Sequence, residues 1–136
     1  MNQIDTTFPV RFAETDAMGI VHHSNHLVWF EAGRVAFFRA NGLDYQEWAG
    51  EDAQLAMVEV HVKYRLAAKF GQEVKVSTSL TRLKTRSITF EYTVSDRAND
   101  RVLATGSTRL ICVDGSGKAI SLPQNMYNQL APIANE

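Results

Sequence analysis

An acid, a turn and three histidines lie within eleven residues near the start of the chain. Asp16 opens this stretch, Gly19 lies in its turn, and His22, His23 and His26 follow. An aspartate is ionised at neutral pH, so Asp16 can act as a nucleophile or as a general base for water. The free N–H groups at the start of a following helix would stabilise negative charge that develops in a reaction. The arrangement is therefore typical of half of a hydrolytic site.

These residues also have structural interpretations, which the pattern leaves open. Asp16 can cap its own turn, as aspartate often does before glycine. Asn25 can cap a helix, or it can orient a carbonyl group or a water molecule. His22 and His26 have the i, i+4 spacing of helical metal ligands, but no cysteine and only one acid lie nearby. We therefore expect no metal at this stretch.

The element that must position these residues is a long helix. The hydrophobic pattern predicts it from Asn25 to Ala40, and the Asn41–Gly42 pair would end it. Ser24 is a further candidate N-cap. An i, i+3 ion pair between Glu31 and Arg34 is expected on the helix surface. The predicted buried face consists mostly of small residues: Trp29, Ala32, Gly33, Ala36, Phe37 and Ala40.

Most of the remaining chain predicts strands. An extended segment is expected from Phe8 to Phe12, and four or five alternating runs follow from Ala56 onward, ending in a run at Leu103–Val113. Short helices are expected from Leu43 to Trp48, before a loop at 49–53, and from Pro123 to near Leu130. The first alternating run predicts an exposed His61 and one buried face, formed by Val58, Val60, Val62, Tyr64 and Leu66. The order indicates an α+β fold, an antiparallel sheet of about five strands wrapped around one long central helix.

Composition narrows the class of protein. With 136 residues, 45% hydrophobic and 21% charged, the chain predicts a single domain over residues 1–136. A lone cysteine, Cys112, excludes an internal disulfide and suits a reducing compartment. No stretch is long and apolar enough to span a membrane, and the N-terminus lacks the features of a signal peptide. We therefore expect a cytoplasmic protein.

Half of the basic residues fall in one short stretch. Residues 63 to 86 contain seven Lys and Arg side chains and a single acid, Glu73. This charge is typical of a site for a phosphorylated ligand, although a solvated strand face would show the same pattern. The stretch has no interleaved aromatic platforms and the pI is about 6.4, so we expect no nucleic-acid partner.

The stretch from Arg11 to Arg34 resembles a known family signature. Arg-Phe, then Thr-Asp-Ala-Met-Gly-Ile-Val-His-His-Ser-Asn, then Trp-Phe-Glu-Ala and Arg are similar to the 4-hydroxybenzoyl-CoA thioesterase family. The histidine at His23 also resembles the Tol-Pal-linked branch. Those proteins are hotdog-fold acyl-CoA thioesterases, so the resemblance implies that fold and hydrolysis without a cofactor or metal. Ala17 replaces a frequent proline, and His26 replaces a usual tyrosine, which bears on acyl specificity.

The resemblance also implies roles for particular residues. Asp16 would be the catalytic carboxylate, and the thioester carbonyl would bind backbone N–H groups near His23, beside Asn25. One protomer would leave this site at an open edge, so a homodimer or homotetramer is expected. The candidates for binding acyl-CoA are a turn glycine and residues of the basic stretch: Gly19, Lys63, Arg65, Arg82, Lys84, Thr85, Arg86 and Ser87. The alternatives are a hotdog acyl-carrier-protein thioesterase, a hydratase and a non-catalytic acyl-CoA-binding module.

Overall fold

A five-stranded antiparallel sheet curls around one long helix in the computed structural model, which describes residues 2–44 and 52–134. The strand order in the sheet is β1-β3-β4-β5-β2, so β1 and β2 form its two edges. The elements are β1 (Gln3–Pro9), a 3₁₀ turn (Phe12–Glu14), α1 (Asn25–Ala40), β2 (Gln54–Tyr64), β3 (Glu73–Leu83), β4 (Ser87–Asp96), β5 (Val102–Val113), α2 (Gln124–Leu130) and a second 3₁₀ turn (Ala131–Ile133). The α+β class and the predicted sheet are confirmed.

The buried face of α1 is larger and more aromatic than the sequence pattern predicts. Ala32 and Ala36 are only half-buried and Ala40 is exposed, so those three assignments to the core are wrong. Gly33 is buried as predicted. The helix lies so close to β3 at this position that a Cβ would collide with the side chain of Thr78. The buried residues of the helix are His26, Trp29, Phe30, Gly33, Phe37 and Phe38. Four aromatic rings therefore anchor α1 to the sheet.

The helix covers only one half of the curled sheet. It packs chiefly against β1 and β3 and reaches β4 at its margin. The far strand, β2, has apolar side chains that are exposed to solvent: Val58 is 41% exposed, Val60 39% and Tyr64 48%. The prediction that this run forms a buried face is therefore wrong for a single chain. Its register also shifts between Met57 and Glu59, which interrupts the regular alternation.

Element ends differ from the sequence predictions in two places. The first strand runs from Gln3 to Pro9, and Arg11 is still extended, so the extended segment predicted at Phe8–Phe12 is wrong at Phe12, where the 3₁₀ turn begins. There the chain tightens into the 3₁₀ turn, closed by a hydrogen bond from the Glu14 N–H to the Arg11 carbonyl. Gly42, at φ +80°, follows the end of α1 as expected.

Two further predictions concern the connections after α1 and the end of the chain. The short helix predicted at Leu43–Trp48 and the loop at 49–53 lie mostly outside the described residues. The helix predicted from Pro123 is confirmed as α2, with Pro123 at its N-cap. Within the described residues, no helix has the length and apolar character needed to cross a membrane.

The sheet has two ends, and the candidate residues are divided between them. At the proximal end, Pro9 pairs with Glu73, and the Val21 N–H donates to the Ala68 carbonyl. At the distal end, β3 turns into β4 through residues 84–86. The strand β3 spans eleven residues between them, which corresponds to roughly 35 Å.

Candidate active site

The Asp16 loop is a closed turn at the proximal end. Thr15 and Val21 form an antiparallel bridge, and the Asp16 N–H donates to the Ile20 carbonyl at 2.8 Å. The Asp16 carboxylate accepts the Met18 N–H through Oδ1, also at 2.8 Å. Gly19 has φ +78°, a left-handed conformation that glycine adopts without strain. Asp16 therefore caps its own turn, as the structural interpretation expects, and its Oδ2 has no hydrogen-bond donor among the described residues.

The start of α1 leaves one backbone donor unpaired. The His22 N–H donates to Glu14, and the Ser24 N–H reaches the His22 ring at 3.2 Å. The N–H groups of residues 25–27 bond to the carbonyls three residues earlier. The His23 N–H, in contrast, has no acceptor anywhere in residues 2–44 and 52–134. It is the donor that a carbonyl oxygen can occupy without displacing an existing hydrogen bond.

Neither candidate N-cap residue caps α1 through its side chain. Ser24 holds the N-cap position, but its hydroxyl lies 2.8 Å from Nδ1 of His22. Asn25 donates through Nδ2 to the Glu14 carbonyl at 2.9 Å and, more weakly, to the His22 carbonyl at 3.4 Å. Its amide nitrogen therefore ties the helix to the preceding turn, which is a third role that the sequence alternatives did not include.

Glu14 is a buried acid that the sequence reasoning missed. It is 3% exposed, and its Oε2 accepts the indole N–H of Trp29 at 2.8 Å. Its Oε1 accepts the backbone N–H of Arg11, also at 2.8 Å. Burial alone would raise the pKa of this carboxyl, but the hydrogen bonds from Arg11 and Trp29 outweigh burial and hold the pKa below its usual value. Glu14 therefore stays ionised inside the fold.

His26 is the most enclosed of the histidines. Its ring is 3% exposed and lies between Trp29, at 4.7 Å between ring centroids, and Tyr64, at 5.0 Å. Burial lowers the pKa of His26 to about 4, so the ring is neutral at physiological pH. Tyr64 also donates its hydroxyl to the His23 carbonyl at 2.9 Å. The aromatic pair thus borders the same helix start.

The histidines do not form a metal site. His22 precedes the helix on the surface and stacks on His23, with 4.2 Å between ring centroids, whereas His26 points into the core. Within the described ranges, no group of three or more His, Cys, Asp or Glu side chains is placed to hold a metal ion. His61 lies on the outer face of β2 and is exposed, as predicted.

The basic stretch is split between the two ends of the sheet. Lys63 and Arg65 flank Tyr64 at the proximal end, where both are exposed. The other candidates lie at the distal end: Arg82, Lys84, Thr85, Arg86 and Ser87. Within one chain the distal group therefore lies far from Asp16. Ser87 is buried, but it lines a polar groove on the outer sheet face together with Arg82 and Lys84.

The ion pair predicted between Glu31 and Arg34 does not form. Arg34 instead donates to the Tyr92 hydroxyl at 3.1 Å, and no salt bridge joins it to Glu31 in the described part of the chain. The guanidinium turns inward because this buried hydroxyl on β4 is within its reach. Both side chains border an apolar cavity between α1 and the uncovered half of the sheet, lined also by Val35, Phe38, Leu55 and Leu110.

Comparisons with known proteins show the family to which the chain belongs. Residues 10–130 match the model of the thioesterase-like superfamily. An acyl-CoA thioesterase, YbgC of Haemophilus influenzae, is 31% identical over 125 residues, covering 88% of this chain and 90% of that protein.

Solved structures give the same result. A hypothetical protein, TT1821 of Thermus thermophilus, has a TM-score of 0.89 and 37% identity, covering 95% of this chain and 98% of that one. A DHNA-CoA thioesterase of Staphylococcus aureus has a TM-score of 0.93 and 25% identity, covering 98% and 91%. The chain belongs to the thioesterase-like superfamily, and it is a thioester hydrolase with the hotdog fold.

Proposed function

We propose that this protein is an acyl-CoA thioesterase that hydrolyses its substrate to a free acid and CoA. The observation that carries the proposal is the unpaired His23 N–H at the start of α1, two residues after the closed turn, Thr15–Val21, that holds the carboxylate of Asp16. A thioester carbonyl bound at this N–H would direct its developing oxyanion to the positive end of the helix. Because the donor is a backbone group, its contribution survives substitution of the His23 side chain.

Two routes fit the carboxylate of Asp16. As a general base it takes a proton from water while the water oxygen bonds to the carbonyl carbon. As a nucleophile it bonds to that carbon itself, and water then hydrolyses the resulting anhydride. In both routes the tetrahedral intermediate collapses by breaking the C–S bond, and the thiolate of CoA leaves and takes up a proton. Asn25 supports either route by holding the helix start against the Glu14 carbonyl.

The active unit we propose is a homodimer, which can assemble further into a homotetramer. The edge strand β2 presents exposed Val58, Val60 and Tyr64 beside unpaired backbone groups, which is a surface that a second copy can cover. Antiparallel pairing of two such edges would bring the distal end of one chain beside the proximal end of the other. The distal basic residues of the partner would then approach the Asp16 loop.

This arrangement gives the basic stretch its function. Lys63 and Arg65 of one chain, together with the Arg82–Ser87 turn of the partner, would bind the phosphates of CoA. Gly19 would keep the Asp16 turn open to the thioester, because a glycine there adds no side chain. We also propose that the protein is a 4-hydroxybenzoyl-type or Tol-Pal-linked thioesterase. It would act in the cytoplasm as one domain over residues 1–136.

The candidate acyl groups fall into an aromatic class and an aliphatic class. The similar DHNA-CoA thioesterase of Staphylococcus aureus makes aryl-CoA esters the first choice, and alkyl-CoA esters are the second class to be tested. The exposed ring of Tyr64, which packs against His26 at the helix start, favours an aryl group.

The test is a panel of aryl- and alkyl-CoA thioesters, with thiol release followed colorimetrically. We expect thiol release for at least one aryl-CoA. Hydration of an enoyl-CoA without thiol release would support a hydratase instead. Binding of acyl-CoA without any turnover would support a binding module, and hydrolysis confined to acyl-carrier-protein substrates would redirect the assignment to that class.

A further inference from the structure

We propose that Glu14 is the positioning residue that holds the Asp16 loop against the start of α1 and thereby sets the rate of turnover. This inference rests on the proposed function and assigns a role to a residue that does not contact the substrate. Glu14 lies two residues before Asp16, on the 3₁₀ turn that follows β1. Its side chain and its backbone carbonyl both join the loop to the helix.

The side chain anchors the loop to the core. One carboxylate oxygen accepts the indole N–H of Trp29, which is itself buried in α1, one turn after the helix begins. The other oxygen accepts the backbone N–H of Arg11, and the Arg11 guanidinium approaches the first oxygen, the one bonded to Trp29, at 3.4 Å. Hydrogen bonds to a charged acceptor are stronger than neutral ones, particularly in a buried position. The carboxylate therefore fixes the turn in two directions.

The backbone carbonyl of the same residue anchors the far side of the loop. It accepts the His22 N–H at 2.8 Å and the Asn25 amide at 2.9 Å. Along the chain, Asp16 lies between Glu14 and His22, which the first of these hydrogen bonds joins, and His23 directly follows His22. A displacement of Glu14 would therefore change where Asp16 sits relative to the free His23 N–H.

A direct chemical role for Glu14 is excluded by its surroundings. Both of its oxygens already accept hydrogen bonds, and its side chain is only 4% exposed. A glutamine of the same size would keep one acceptor oxygen and place an NH₂ group against a second N–H donor. Glu14→Gln thus disturbs the loop through two hydrogen bonds while leaving the volume of the side chain almost unchanged.

The experiment compares Glu14→Gln with Glu73→Gln, in steady-state assays on the thioester that the wild-type protein turns over best. Glu73 is a matched control, because it pairs with an arginine, Arg97, but at the surface. We expect kcat of Glu14→Gln to fall about 10- to 100-fold, as for a small misplacement of a catalytic group, with KM changed far less. Glu73→Gln should keep the wild-type values. Trp29→Phe, which removes only the indole N–H donor, should lower kcat by a smaller factor in the same direction.

A double variant separates positioning from a loss of folded protein. If Glu14 acts through Asp16, adding Glu14→Gln to Asp16→Asn should leave the residual rate unchanged, whereas partial unfolding would lower it further. Wild-type kcat in both Glu14→Gln and Trp29→Phe, or equal losses in the presence and absence of Asp16, would overturn the inference while the proposed function stands. A wild-type protein that hydrolyses no thioester would overturn both.

Discussion

The proximal and distal ends of the sheet carry the two halves of the proposed site, but they are built differently. At the proximal end, the Asp16 loop, the 3₁₀ turn and the helix start are joined by hydrogen bonds within one chain. At the distal end, Arg82 near the end of β3 and Lys84 and Arg86 on the following turn are exposed, and nothing in the described chain connects them to Asp16. The proximal half of the proposed site is thus held together by local contacts, whereas the proposed CoA-binding half would require a second chain.

The uncovered half of the sheet explains this difference. Because α1 packs over β1 and β3, the apolar residues of β2 and the cavity beside Phe38 stay open. Apolar side chains in such a position mark an interaction surface. The comparison therefore predicts that substitutions at the proximal end act within each protomer, whereas those at β2 and the distal end act through the assembly.

Removing the proximal carboxylate should have the largest effect. Asp16→Asn should lower kcat by about 10³-fold with little change in KM, because a general base or nucleophile acts in the transition state. Steady-state thiol release at saturating substrate measures this change. The Oδ1 atom can still accept the Met18 N–H in the variant, so the turn should persist. Near-normal turnover, with deamidation excluded by mass spectrometry, would contradict the assignment.

Breaking the β2 edge should have the next largest effect. Val60→Asp places a charge on the exposed edge, and a two-fold interface would present that charge twice. We expect light scattering to show a monomer. Turnover in dilute solution should fall about 100-fold, because the partner's half of the proposed ligand site is lost. Thr7→Asp, on the opposite edge strand β1, is the control. A Val60→Asp monomer with full activity would show that one chain suffices.

The sequence predicts the proximal end better than the distal one for a physical reason. The turn at Asp16–Gly19 and the helix start at Asn25 depend on neighbours along the chain, so their residue types specify them. The sequence does not predict the buried role of Glu14, because its partner Trp29 lies fifteen residues away and no local pattern links the two residues.

The β2 alternation predicts a buried face, but Val60 stays 39% exposed among the residues that the structure describes. A periodic pattern reports that a face is apolar and leaves open which molecule buries it. The distal basic turn poses the same problem, since its charge indicates a ligand without indicating which active site the turn serves.

Removing two distal arginines should have a moderate effect confined to CoA substrates. Arg82→Ala combined with Arg86→Ala should raise KM for acyl-CoA about tenfold, as expected for lost charge-assisted contacts to phosphate. KM for the matching acyl-pantetheine, which lacks the nucleotide phosphates, should stay unchanged. Arg97→Ala combined with Arg101→Ala, another exposed pair, serves as the control. Equal changes for both substrates would argue against phosphate binding at the distal turn.

The smallest effect on turnover is expected at His26, where the proximal end can instead be tested through stability. The pKa of His26 is about 4 in the folded chain, below its ordinary value of 6.5. The unfolded chain therefore binds more protons between these values, and the free energy of unfolding should fall by roughly 2 kcal/mol as the pH drops from 6.5 to 4. His26→Phe removes this titration, while Trp29 and Tyr64, which face the ring, stay neutral throughout.

Urea unfolding of the two proteins at pH 7 and pH 4 measures the difference. The lowered pKa of Glu14 adds a loss of stability at still lower pH, but both proteins share it. His61→Phe, at an exposed histidine, should follow the wild-type curve. Since the ring is enclosed by its own chain, the difference should not depend on protein concentration, in contrast to the effect of Val60→Asp. Parallel pH dependence of the wild type and His26→Phe would show that the His26 ring is accessible to protons in the folded state.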